Sequence, residues 1–61
     1  MLRDCAGVEL KVGDPVVAEG WDGYVVEGNI VRILPSLGRV VIRDHEGLGE
    51  SVWETFLVEK I

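Results

Sequence analysis

One cysteine, one histidine, one methionine and two prolines are spread over 61 residues, and each scarcity excludes something. With Cys5 alone, no disulfide can close within the chain, so the staple on which many very small domains depend is missing. A lone thiol fits a reducing compartment, or a cross-link between two copies. His45 and Cys5 stand outside any metal-ligand spacing, and no glycine-rich phosphate loop occurs, so neither metal nor cofactor is expected. No apolar run is long enough to span a membrane. The opening "MLRDCAGVEL" has neither the basic start nor the apolar stretch of a secretory signal, so a cytoplasmic location is expected. Bases are scarce too. Six Lys and Arg stand against eleven Asp and Glu, a net charge of −5, which works against non-specific attraction to phosphate backbones and anionic membranes.

What is present is an apolar fraction of 48%, enough for one compact core over residues 1–61 and too much for disorder. A domain this small buries only roughly 60% of the surface its unfolded chain exposes. Association with further copies is one way to bury more. The apolar residues fall in short β-branched runs punctuated by glycine, and no window carries a sustained helical period. A turn is expected at Cys5 to Gly7, leading to Val8 and Leu10. Gly13-Asp14 is a turn signal, and Pro15 can open a strand over Val16 to Glu19. In "GWDGYVVEGNIVRI", Gly20 and Gly23 permit a tight loop, and a long strand runs from Tyr24 to Leu34. Gly28 within it points to a bulge or sharp bend. Pro35 to Gly38 turns the chain into "RVVIRD", with Val40 and Ile42 on one face and Arg39, Val41 and Arg43 on the other. "HEGLG" is a turn, "ESVWE" a fourth strand, "TFL" a single turn of tight helix and "VEKI" a closing strand. The class is all-β.

This order of parts resembles the small SH3-like barrels, especially their Tudor-like and KOW-like versions. "VGDPVV", "GNIVRI", "GRVVIRD" and "SVWETFLVEKI" carry the likeness over about residues 10 to 61. It implies five strands with a short 3-10 turn before the last. "RDCAGVELKVGDPVV" also resembles the start of small SH3-like proteins common in phages, prophages and mobile elements. Tudor-like relatives hold a methylated cation in an aromatic cage, and the matching positions are Trp21 and Tyr24 on one loop with His45 on the other. "DHEGLG" lacks the further aromatics of a full cage. The chain is similar in architecture to the type II dihydrofolate reductases, short SH3-like chains that build one active pore from four copies around a Val-Gln-Ile-Tyr segment. Here Val52 matches, while Trp53, Glu54 and Thr55 replace the rest.

Two surface readings follow. Trp21, between two glycines with Asp22 beside it, is either an exposed interaction hot spot or a lid folded over the barrel's open end. With Asp22, Tyr24 and His45 it makes the candidate protein-binding set, while Trp53 is expected to pack in a core or interface. Arg32, Arg39 and Arg43 form a candidate platform for single-stranded nucleic acid, unless they pair across strands with Glu27 or Asp44. Catalysis is not expected. A Cys5–His45 dyad would need an orienting group and an oxyanion site, and Glu46, Glu50, Glu54 and Glu59 lack a deep cleft to separate an acid from a base. The expectation is a non-enzymatic binding module for another protein. A nucleic-acid-binding barrel and an oligomeric enzyme with a site between subunits are the alternatives.

Overall fold

A computed structural model describes residues 1–47 and 49–61. Of the expected turn at "HEGLG", residue 48 lies outside the described residues. Five strands run β1 (Pro15–Glu19), β2 (Val25–Leu34), β3 (Arg39–Asp44), β4 (Glu50–Glu54) and β5 (Val58–Lys60), with 3-10 turns at Pro35–Leu37 and Thr55–Leu57. They form one antiparallel sheet in the order β4-β3-β2-β1-β5, and no α-helix occurs among the described residues. The all-β expectation therefore holds, and the bounds of β3 and β4 match those read from the sequence.

The sheet must be rolled. Laid flat, five strands would separate the edge strands β4 and β5 by roughly 19 Å, at about 4.8 Å per step. Yet only Thr55–Leu57 joins them, a 3-10 turn that advances roughly 2 Å per residue. Strand alternation then lines the inside: Val16, Ala18, Val26, Ile30, Val40, Ile42 and Val58 are buried, and Leu10 from the N-terminal segment joins them. Pro15 opens β1, where its missing N–H costs nothing, and Gly38 takes a left-handed φ of 63° that ends the Pro35 turn.

Gly28 does not make the bulge. The register between β2 and β3 slips between Ile30 and Arg32, so Val31 is the extra residue. Gly28 instead sits directly opposite Asp44, and a Cβ there would fall on the carbonyl oxygen of Arg43 and 2.7 Å from its carbonyl carbon. Its glycine is required by close approach of β3, not by a bend.

The two edges of the sheet differ. Ile61 N–H donates to the Pro15 carbonyl, which fixes the parity of the β1–β5 ladder and leaves the backbone groups of Val58 and Lys60 facing outward. Both residues find partners in the N-terminal segment. Cys5 N–H donates to the Val58 carbonyl at 2.9 Å, and Lys60 N–H donates to Asp4 Oδ2 at 2.8 Å. Asp4 Oδ1 accepts from Ala6 N–H and Val8 N–H at 2.9 and 2.8 Å, closing the turn expected at Cys5 to Gly7. Asp4 is a buried charge, and these donors, Lys60 N–H foremost, hold its carboxyl below the ordinary value against the opposing effect of burial.

Candidate functional site

The loop between β1 and β2 is built to hold an indole in solvent. Gly20 N–H donates to the Tyr24 carbonyl and Gly23 N–H to the Gly20 carbonyl, closing the loop at both levels. Asp22 Oδ1 accepts Tyr24 N–H at 3.0 Å, an Asx turn that mimics backbone. Gly23 has φ 83°, which a side chain would resist. Asp22 is thus occupied in shaping the loop. Trp21, at its tip, is 85% exposed, so its ring does not fold back as a lid.

Trp21 is not alone. Its ring centroid lies 6.2 Å from that of Phe56, tilted by 43°. Tyr24 stacks on Trp53 at 6.4 Å with the planes 10° apart. Trp53 is the anchor of the group: it packs against the core, and its indole N–H donates to Ser51 Oγ at 2.8 Å. All four aromatic residues of the chain therefore meet around one loop. The sequence places Trp53, with Phe56 following it, in core or interface packing and not beside the Trp21 loop. Their common signal is the "VWETF" run, but only the rolling of the sheet carries it round to residues 20–24.

Beside the Trp21–Phe56 pair lies a groove of about 410 Å³, lined by both rings together with Val17, Leu57, Cys5, Glu19 and Glu59. Aromatic walls with two carboxylates at the rim favour a positively charged or amphipathic visitor. His45 sits elsewhere, in a shallow depression with Glu27 and Asp44. Its Nε2 lies 3.0 Å from Asn29 Oδ1 and its Nδ1 4.0 Å from Glu27. The structure brings Trp21, Asp22 and Tyr24 together and leaves His45 in a different depression.

Arg32, Arg39 and Arg43 share the outer face of β2 and β3, as their spacing requires: Arg39 and Arg43 alternate with Val40 and Ile42, and Arg32 lies opposite Val41. The two arginines of β3 have carboxylate neighbours on β4. Arg43 lies opposite Glu50 and pairs with it at 2.6 Å, and Arg39 lies opposite Glu54. The basic row is matched by an acidic row one strand over. Among the described residues no cluster of His, Cys, Asp and Glu could hold a metal ion, and no helix is long and apolar enough to cross a membrane.

Fold and surface together define a small all-β protein with an exposed aromatic patch. Over residues 2–57 the chain matches the family described as a domain of unknown function, DUF7205, and it belongs to that family. No curated protein and no solved structure matches it.

Proposed function

We propose that this chain is a non-enzymatic binding module of SH3-like architecture, whose partner is another protein gripped by the patch around Trp21 and Tyr24. The convergence of all four aromatic residues on one exposed loop carries the reading. A free indole in water gains most when a partner covers it, and tryptophan and tyrosine dominate measured interface hot spots. The strand order β4-β3-β2-β1-β5, with a 3-10 turn before the last strand, supports the SH3-like assignment. Glu19 and Glu59 at the groove's rim, and the net charge of −5, favour a partner with a basic surface and speed its approach.

Trp21→Ala is the test. A hot-spot loss of about 2 kcal/mol or more lowers affinity roughly thirtyfold, whereas stability stays within about 0.5 kcal/mol because the ring is exposed. A pull-down from host lysate, half of it nuclease-treated, supplies the partner. Capture that survives nuclease and fails with Trp21→Ala is expected. Unchanged capture by the variant removes the aromatic patch from the site.

The rival, a nucleic-acid platform on Arg32, Arg39 and Arg43, must contend with Glu50 and Glu54 on the same face. It calls for oligonucleotide binding that weakens steeply with salt. Absence of binding at low salt is the expected result, and a steep salt dependence would reverse the order of the two readings.

A further inference from the structure

The edge of the sheet opposite β5 is open, and its chemistry specifies what fits. Asp44 N–H donates to the Gly49 carbonyl and Thr55 N–H to the Gly38 carbonyl, at the two ends of the β3–β4 ladder. In an antiparallel pair the bonding residues alternate, so Ser51 and Trp53 bond to β3 while Glu50, Val52 and Glu54 turn their N–H and C=O groups away from it. Among the described residues nothing bonds to the outward groups of Glu50 and Val52 or to the Glu54 N–H, while the Glu54 carbonyl, at the N-cap of the Thr55–Leu57 turn, is used within that turn. On the other edge, the Val58 carbonyl and the Lys60 N–H of β5 are taken by Cys5 and Asp4. One edge is capped from within the chain. The other is left for something else.

Side chains on the outer face say what kind of strand that is. Along β3 the outer row reads Arg39, Val41, Arg43, with Val41 half-buried, and opposite it along β4 stand Glu54, Val52 and Glu50. The sheet therefore already shows what β4 accepts on one side: basic, apolar, basic at every second residue. A further strand with that spacing would continue the alternation of charge, and opposite charges on facing residues stabilise a strand pair. A depression of about 350 Å³, lined by Arg39, Val52, Trp53, Glu54 and Leu57, runs beside this strand.

A second copy of the chain fits badly. Antiparallel pairing of β4 with itself about Val52 would set Glu50 against Glu54 twice, and like charges directly opposed destabilise a pair. Charged edge strands are a common device against such self-pairing.

We infer that β4 is a strand-addition site for an extended segment of a partner protein, paired antiparallel, with basic residues facing Glu50 and Glu54 and an apolar residue facing Val52. This inference rests on the reading that the partner is a protein, and it adds the form and charge of the segment. Main-chain bonds would supply affinity and the alternate side chains specificity.

The experiment is an NMR titration of the full chain with a short capped peptide containing Lys-Thr-Val-Thr-Lys, alongside its Glu-Thr-Val-Thr-Glu counterpart. The amides of Glu50, Val52 and Glu54 are expected to exchange rapidly in the free protein and to slow by at least about tenfold with the lysine peptide. The glutamate peptide should leave them fast. Glu54→Lys, at an exposed position, should weaken the lysine peptide by roughly threefold to tenfold. Trp21→Ala should leave this protection intact, which separates the edge from the aromatic groove. Equal behaviour of the two peptides, no protection at millimolar peptide, or protection that grows with protein concentration alone would each overturn the inference. Each would leave the Trp21 patch to be judged on its own test.

Discussion

Gly28→Ala is expected to destabilise the chain by about 3 kcal/mol or more, a large share of its total stability. The added methyl would meet the Arg43 carbonyl, the Arg43 carbonyl carbon at 2.7 Å and the Asp44 Cα at 3.2 Å. All of these are backbone atoms of β3, so no side-chain rotation can make room. Moving β3 away would break the ladder that holds the two strands carrying Ile30, Val40 and Ile42, three of the most deeply buried residues. Overpacking a core with flexible side chains costs about 1–3 kcal/mol, and a rigid obstacle belongs at or beyond the top of that range. Against it stands a total stability of roughly 3–9 kcal/mol, from about 0.05–0.15 kcal/mol per residue. Gly23→Ala is the matching control. Nothing lies within 4 Å of its added methyl, and the only cost is the positive φ, about 1–2 kcal/mol. Circular dichroism with thermal melting distinguishes the two. If Gly28→Ala melts with the parent, β2 and β3 are not as close as the geometry requires.

Gly28 also shows where sequence reading stops. A glycine inside a strand records that a side chain is not tolerated, but bulging and close approach leave the same mark. The actual bulge, at Val31, carries a β-branched residue and no signal at all. Local patterns fared better. The alternation in "RVVIRD", the limits of "ESVWE" and the tight turn at "TFL" depend only on neighbouring residues, and each was legible. The partners of the arginines were not. Glu27 and Asp44 were the expected acids, yet register sets Arg43 against Glu50 and Arg39 against Glu54 on the next strand. The candidate site was half visible for the same reason. Trp21 and Tyr24 announce themselves between glycines, while Trp53 and Phe56 reach them only through the rolled sheet. Asp4 carried no signal whatever, being one acid among eleven.

Asp4→Ala is therefore the second large effect expected, and it would act through an edge and not through the core. The substitution leaves the N–H groups of Ala6, Val8 and Lys60 without their acceptor, and it frees the segment that covers the outward side of β5. Loss of an acceptor inside folded structure costs more than the bond itself was worth, because the donors remain. Asp4→Asn should fall between the parent and Asp4→Ala. Its amide oxygen can still serve Ala6 and Val8, but its NH₂ group would confront Lys60 N–H, donor against donor. The parent should also show an acid limb. Since the folded state holds the Asp4 carboxyl below the ordinary 3.8, with Lys60 N–H the leading cause, the carboxylate stabilises fully above that value. That contribution drains away as pH falls through the lower, folded pKa. Thermal melts across this range should give a shallower limb for Asp4→Asn than for the parent; identical limbs would assign the acid sensitivity to other carboxylates. Removal of the cap has a second consequence. With Val58 and Lys60 exposed beside the open β4, the molecule would present unpaired strand on both edges, and uncapped edges recruit one another. Asp4→Ala should accordingly self-associate at concentrations where the parent does not, a difference that light scattering reads directly.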